Sequence, residues 1–405
     1  MEANFSLRFP EISEAIFQKL DNETLVKCIQ VCEDWNNLRY NSSNPAMILL
    51  KRRMQFEIEQ HTDFDTEWRK VIYEMSTANI FALYNDMFES FRGRPNNFQA
   101  SMTPLHWAAS YGNLALYRVF FELVENKNPI NDEGFQPIHV AATTGNLRII
   151  REIVRNLQEI NPRTDNGTTV MELAVQEGHL KVVEYLVGLI GYSNLPIVEL
   201  IHMAAEFGYL EIYKLLVSDC TDKNPIKHHG ITALHIAARY GHLQICKFIM
   251  KHLTEKLPRD VDDWTPLHYT ASMGHLFVYK EISDELIDKN PSDIIGETPL
   301  HIAAGCGHTK LCGMIIDEIQ EKNPADIHGN TPLHIAAMTG NLMLCEIITK
   351  EIEDKNPADN LGVTPMHLWE RHYKGTRFAQ KIFGYPFRFG SLCQFLKYIV
   401  QELFF

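Results

Sequence analysis

One motif recurs throughout this 405-residue chain: Gly329-Asn330-Thr331-Pro332-Leu333-His334-Ile335-Ala336-Ala337. Its histidine has counterparts at further positions, which are His106, His139, His202, His235, His268, His301 and His367. Neighbouring positions differ by 33 residues (334 − 301 = 33), except that 202 − 139 = 63, with Glu172 standing 33 residues after His139. The eight histidines and Glu172 therefore mark nine copies in one register, with a three-residue deletion before the fourth copy.

The residues of the motif predict its local structure. Thr331 can cap a helix with its hydroxyl, and Pro332 suits the first helical position, where no amide hydrogen is required. Gly340 is a left-handed stop for this short helix, and a second amphipathic helix follows it and ends before Lys355-Asn356-Pro357. Since no copy can bury its apolar face alone, we expect the copies to stack into one array.

A period of about 33 residues that carries Thr-Pro-Leu-His-x-Ala is the signature of ankyrin repeats. The sequence therefore resembles the ankyrin-repeat family over roughly residues 100–367. The resemblance implies an all-α solenoid of helix-turn-helix repeats joined by β-hairpin loops. In the fourth copy Ile197 replaces the hairpin glycine, so we expect this copy to be the weak joint of the array.

Residues 9–38 have a different apolar pattern, with Phe9-Pro10-Glu11-Ile12 at its start and Val31-Cys32-Glu33-Asp34-Trp35 near its end. Three short helices can hardly bury so much apolar surface internally, and a partner is the simplest cover. The pattern resembles the F-box motif, although Phe9 replaces the usual leucine. The resemblance implies that a small three-helix domain docks a Skp-type adaptor of the cullin ubiquitin ligases. The residues implied in adaptor binding are Phe9, Pro10, Ile12, Ile16, Leu20, Leu25, Val31 and Trp35. The alternative is a helical hairpin that caps the repeat stack.

These patterns divide the chain into four parts. We predict an F-box-like domain at 1–45, a helical linker and N-terminal cap at 46–99, and about eight full repeats at 100–365. Residues 366–405 are predicted to form a partial ninth repeat and a divergent cap, because Trp369 stands where the first motif alanine belongs.

Composition and motifs exclude several classes of function. A formal net charge of −13 argues against nucleic acid as the main partner, and no apolar run is long enough to span a membrane. Cys28 and Cys32 lie one helical turn apart without a second ligand pair, and we interpret them as core residues. No phosphate-binding loop or nucleophile elbow occurs. We therefore predict no catalytic, cofactor-binding or metal-binding residues, and we interpret the motif histidines as structural.

Recognition of a protein is the function that remains. By resemblance to ankyrin proteins, ligands lie on the hairpin tips and the short inner helices. The residues at those positions here are Tyr111, Phe135, Phe207, Arg239, Tyr240, Trp264 and Met273. Tyr111, Phe207 and Tyr240 could instead pack against the next repeat. A hairpin tip offers little core to Trp264, so we expect this residue to contact a partner and to matter little for folding.

The combined resemblances imply the substrate-recognition subunit of a Skp–cullin–F-box ubiquitin ligase. The N-terminal motif would dock the adaptor and the cullin core, and the array would hold a protein substrate that the sequence does not identify. The alternatives are a plain ankyrin scaffold without a ligase, and an enzyme with a pocket of perturbed titratable groups. We expect the protein to act in the cytoplasm or also in the nucleus.

Overall fold

The computed structural model describes residues 102–156, 160–372 and 382–383. The predicted F-box-like domain at 1–45, the linker at 46–99 and nearly all of the C-terminal cap lie outside the described residues. The residue contacts divide the chain into two compact units, Met1–Gly191 and Tyr192–Phe405. The boundary falls at the start of the fourth repeat, where the sequence has its three-residue deletion.

Paired antiparallel helices make up the described part of both units. The first unit contains α1 Pro104–Tyr111, α2 Leu114–Leu123, α3 Pro137–Thr143, α4 Leu147–Asn156, α5 Val170–Gln176 and α6 Leu180–Ile190. The second unit contains α7 Ile197–Phe207, α8 Leu210–Val217, α9 Ala233–Tyr240, α10 Leu243–His252, α11 Pro266–Met273, α12 Leu276–Ser283, α13 Pro299–Gly305, α14 Thr309–Glu318, α15 Pro332–Met338, α16 Leu342–Glu351 and α17 Pro365–His372. The prediction of an all-helical repeat array is confirmed for these residues.

The first helix of each pair is an inner helix, and inner helices of successive repeats lie side by side. This packing joins α1, α3 and α5 in the first unit, and α7, α9, α11, α13, α15 and α17 in the second. The two motif alanines are the reason, since Ala303 and Ala304 of α13 and Ala336 and Ala337 of α15 are fully buried. A larger side chain at these positions would push the helices apart and open a cavity elsewhere.

Short loops connect each outer helix to the next inner helix. Within the described ranges, the only β pairing in these loops is two isolated antiparallel bridges, Arg163 with Thr169 and Ile226 with Thr232. In the second unit, backbone bonds also join neighbouring loops, from Ile294 N to Asp262 O (3.4 Å) and from Ile327 N to Ile295 O (3.0 Å). None of the helices among the described residues is long and apolar enough to cross a membrane.

The fourth repeat departs from the others at its loop. A short 3₁₀ turn, Tyr192–Asn194, stands in place of the hairpin, and α7 has 11 residues, whereas α13 and α15 have 7. Because Ile197 replaces the positive-φ glycine, the chain continues as helix through the position where other repeats turn. As a result His202 Nδ1 bonds to Val198 O (2.7 Å) instead of to a capping threonine.

The described array ends at α17. Trp369 replaces a small motif alanine there and is buried. Ile382 and Phe383, the residues described beyond 372, are buried as well.

Candidate functional site

The motif histidines tie consecutive repeats together. His268 Nδ1 accepts a bond from the Thr265 amide (3.1 Å), and its Nε2 donates to Glu297 O in the next repeat (3.3 Å). The same Nε2 bond to a carbonyl 29 residues ahead recurs at His106, His202, His235, His301 and His334. Burial lowers the pKa of His106, His235 and His268 to about 4, so these rings are neutral at pH 7. The structural interpretation of the motif histidines is confirmed.

A second set of histidines, which sequence reasoning missed, bonds in the opposite direction along the chain. Each follows the glycine between two helices and donates to a carbonyl 36 residues earlier. The pairs are His179 with Thr143 O, His242 with Glu206 O, His275 with Arg239 O and His308 with Ser272 O. The Gly-His dipeptide at the same position in four repeats was the available signal. Imidazoles therefore join each of these repeats to the one before it, in addition to the motif histidines.

The recurring Lys-Asn-Pro segment links an outer helix to the next inner helix. Lys322 Nζ donates to Ile316 O near the end of α14, which caps a free carbonyl there. Asn323 Oδ1 accepts from the Leu333 amide (3.1 Å) at the start of α15. Such bonds satisfy backbone groups at helix ends and hold the loop in place.

A concave cavity of about 480 Å³ opens on the inner face of the second unit. Its lining includes the apolar side chains of Ile302, Ile335, Met338 and Leu368. Two small residues, Ser272 and Gly305, also line it. They lie four residues after their motif histidines, where the repeats on either side carry Arg239 and Met338. The cavity therefore forms where two consecutive repeats carry a small residue instead of a long side chain at this position.

Carboxylates lie along the loop side of the cavity. Asp293 and Asp326 each open a loop, and the Oδ1 atom of each accepts two backbone bonds within that loop, at 2.7 to 3.0 Å. These two aspartates therefore hold the turns. Glu297 lies between them along the chain and lines the cavity. Burial raises the pKa of the Glu297 carboxyl, and the nearby Asp293 and Asp326 carboxylates raise that pKa further.

The structure places the predicted binding residues on the loop side and the ends of the inner helices. Tyr111, Phe207, Arg239, Tyr240 and Met273 are exposed, whereas Phe135 is half-buried and its ring lies 5.7 Å from that of His139. Among the predicted residues, Trp264 alone lines the cavity.

Sequence reasoning missed a row of apolar residues on the loop tips. Val261, Ile294 and Ile327 are 62%, 58% and 58% exposed. Each lies seven residues before a motif histidine (268 − 261 = 7, for example), so they occupy the same position in three consecutive repeats. An apolar residue at a loop tip in consecutive repeats was the signal. Exposed apolar side chains at one position in consecutive repeats are typical of an interaction surface.

The expectation that a hairpin tip offers Trp264 little packing is wrong. Its indole N–H donates to Asp293 Oδ2 (3.1 Å), and its ring lies 5.7 Å from the His268 ring and 5.4 Å from the Tyr269 ring. The side chain is half-buried because the His268 and Tyr269 rings lie beside it and the next loop supplies a hydrogen-bond acceptor. Trp264 therefore has a structural role in addition to any contact with a partner.

These contacts predict graded costs of truncation in the sixth repeat. We expect Trp264→Ala to lower the free energy of unfolding by about 1–2 kcal/mol, through lost aromatic packing and the unpaired Asp293 oxygen. Leu267→Ala removes a fully buried side chain and should cost about 2–5 kcal/mol. Urea denaturation followed by circular dichroism measures both costs. A Trp264→Ala protein as stable as the wild type would show that the indole contacts contribute nothing to folding.

The described residues contain no group of three or more His, Cys, Asp or Glu side chains arranged to hold a metal ion. Cys306 is exposed beside the cavity, whereas Cys246, Cys312 and Cys345 are buried. Burial raises the pKa of each of these three buried thiols to about 12, as expected for small core residues.

Comparison with known families gives a match over most of the chain. A family model described as "Ankyrin repeats (3 copies)" matches residues 78–163, 105–194, 201–293 and 277–359. Together these matches span 78–194 and 201–359, about two thirds of the 405 residues. They begin within the predicted linker and leave out 195–200, where the fourth repeat lacks its hairpin. No curated protein matches the chain at a significant level.

Proposed function

The chain belongs to the ankyrin-repeat family, whose repeats serve protein–protein interaction, and from this we propose that its second unit binds a protein partner. The surface used is the inner face around the cavity together with the exposed row of Val261, Ile294 and Ile327. An all-helical ankyrin fold is typically a non-catalytic scaffold, so any role in a reaction would be to hold and position another protein.

The exposed apolar row carries this proposal. Isolated exposed apolar residues are ordinary, but these three form a strip along neighbouring loops, which backbone hydrogen bonds join to one another. The strip lies on the loops, and the adjoining inner helices present the apolar cavity lining. A partner that covers both would bury apolar surface on the strip and in the cavity, and would also meet the loop carboxylates beside the cavity.

Paired substitutions test the surface directly. Ile294→Asp with Ile327→Asp places charges on the strip and should abolish copurification of partner proteins, measured by quantitative mass spectrometry on tagged full-length chain. Phe277→Asp with Met343→Asp changes exposed apolar residues on the outer helices α12 and α16 and is the matched control. Unchanged partner recovery by the strip variant, or equal loss by the control, would contradict a strip-based interface.

For the whole chain, the proposed role is the substrate-recognition subunit of a Skp–cullin–F-box ubiquitin ligase, acting in the cytoplasm or also in the nucleus. Support comes from the order of residues between Phe9 and Trp35, which is similar to the F-box pattern. The array would raise the effective concentration of substrate lysines near the conjugating enzyme. The alternative is an ankyrin scaffold without ligase association.

Adaptor recovery distinguishes these roles. We expect full-length chain to recover a co-expressed Skp-type adaptor and cullin, through an interface of about 1,600 Å² in total. Leu25→Asp with Val31→Asp puts carboxylates into that apolar contact and should abolish recovery, while circular dichroism shows that the array stays helical. If the wild-type chain fails to recover the co-expressed adaptor, the scaffold role replaces the ligase role.

A further inference from the structure

Glu297 has an acidic side chain at a position where neighbouring repeats place hydrogen-bond donors. Trp264, Glu297 and Asn330 occupy this position in three consecutive repeats, since each lies four residues before a motif histidine (268 − 264 = 301 − 297 = 334 − 330 = 4). Trp264 donates its indole N–H to Asp293 Oδ2 (3.1 Å), and Asn330 donates its amide to Asp326 Oδ2 (3.3 Å). Glu297 has no N–H to offer, and no ion pair or side-chain hydrogen bond joins it to any described residue.

This placement of Glu297 is unfavourable for the isolated chain. The carboxylate is half-buried, and the carboxylates of Asp293 and Asp326 lie near enough to disfavour its charge. Its backbone makes the same contacts that any residue would make there, since Glu297 N donates to Asp293 Oδ1 and Glu297 O accepts from His268. The fold therefore does not require the carboxylate, and an external cation would relieve the repulsion among the three acids.

The described residues do not supply that cation. No lysine or arginine is among the described residues that line the cavity. Nearby Arg259 donates to the carbonyls of Asp263 (3.2 Å) and Ser292 (2.8 Å). The described carboxylates also form no cluster suited to a metal ion.

The apolar floor of the cavity restricts the kind of cation. The floor is formed by Ile302, Ile335 and Met338, beside Glu297. Gly305 has no side chain and leaves room above this floor. A hydrated inorganic ion gains nothing from such a floor. A lysine or arginine side chain fits it, because the aliphatic stem packs on apolar groups while the charged head reaches a carboxylate.

We propose that the cavity of the second unit takes a lysine or arginine side chain from an extended segment of the partner protein, with the cation at Glu297 and the stem over Gly305. This inference rests on the proposed function and specifies the chemistry of the partner. It predicts that the partner binds through a basic segment and that binding weakens as salt is added.

The test uses full-length chain and a display library of random linear peptides as the probe. We expect the selected peptides to carry lysine or arginine at one common position. Glu297→Gln keeps the shape of the side chain and should lose this enrichment, with the affinity of a selected peptide weakened roughly tenfold in fluorescence anisotropy. Glu351→Gln, on the exposed face of α16, is the matched control and should select the same peptides as the wild type.

A second variant locates the binding. Gly305→Met fills the cavity with the residue that the next repeat already carries at Met338, and a Cβ at Gly305 meets only Ile335 Cγ2, at 3.6 Å. This variant should fold normally and lose peptide binding. Peptide bound to the wild type should also slow alkylation of Cys306 by N-ethylmaleimide, as mapped by mass spectrometry.

The outcomes separate the two proposals. Selected peptides without a basic residue, or basic peptides that bind Glu297→Gln as tightly as the wild type, would overturn the cation site while leaving a groove that binds protein. Peptides that bind Gly305→Met equally well and leave Cys306 unprotected would show that the groove is not used. A library that yields no binder would also overturn the inference, because a groove that takes an extended segment should capture linear peptides.

Discussion

Acidification from pH 7 to about pH 4.5 should unfold the repeat array. At pH 4.5 the unfolded chain binds protons at three histidines that the folded state keeps largely neutral, and this favours unfolding. Burial holds the pKa of His106, His235 and His268 near 4, below the ordinary value of 6.5. A base with a depressed pKa in the folded state stabilises the fold above its unfolded pKa, and this contribution is lost as the pH falls from about 6.5 towards 4. Each histidine should contribute about 2 kcal/mol of loss by pH 4.5.

A glutamine variant isolates one histidine from this effect. In His268→Gln the side-chain oxygen can still accept from the Thr265 amide, as the Glu172 carboxylate accepts from the Thr169 amide (2.8 Å) in the third repeat. The variant loses the bond to Glu297 O and should be about 1 kcal/mol less stable at pH 7, but with a weaker dependence on pH. His228→Gln, at an exposed loop position, should behave as the wild type. Far-UV circular dichroism against pH and urea measures these slopes, and a pH-independent stability between 7 and 4.5 would contradict the assignment.

Gly274→Ala should destabilise the second unit far more than Gly307→Ala, although both glycines have left-handed backbones with φ of 75° and 78°. Alanine in this region costs about 1–2 kcal/mol at either site. A Cβ on Gly274 would also lie 2.5 Å from His308 Nδ1, whereas nothing lies within 4 Å of a Cβ on Gly307. The His308 ring must then move and give up its bond to Ser272 O (3.1 Å).

We expect the total cost of Gly274→Ala to be about 3 kcal/mol, and thermal and urea unfolding of both variants measures the difference. His308→Ala provides the matched background, because it removes the ring that the new Cβ would meet. In that background Gly274→Ala and Gly307→Ala should have similar costs. Equal costs in the wild-type background would show that the His308 ring moves aside without lowering the free energy of unfolding.

The sequence predicts the features that repeat and misses those that depend on a neighbouring repeat. The 33-residue period and the Thr-Pro pair specify the start of the inner helix within its own repeat, and the small motif alanines indicate that inner helices approach closely. Ile197 likewise marks the altered fourth repeat from the sequence alone, because a missing turn glycine has a local effect.

Side chains that bond across repeats were harder to interpret. His308 reaches a carbonyl 36 residues earlier, and Trp264 reaches Asp293 in the following repeat, so their partners are distant in sequence. The environment of Glu297 is likewise a property of three consecutive loops. The cavity arises where two small residues, Ser272 and Gly305, occupy the same position in consecutive repeats. A search of the sequence for large contact residues does not find such a site.

The bonds between repeats also bear on how this chain could lengthen or shorten in evolution. Each regular repeat carries an imidazole donor for the carbonyl ahead of it and offers carbonyls to the histidines of its neighbours. Duplication of one such unit would therefore present matching donors and acceptors at both new junctions, and no compensating substitution would be required. A gain or loss of whole units would change the length of the binding surface, whereas the loss of three residues, as before the fourth repeat, replaces a loop with a short 3₁₀ turn.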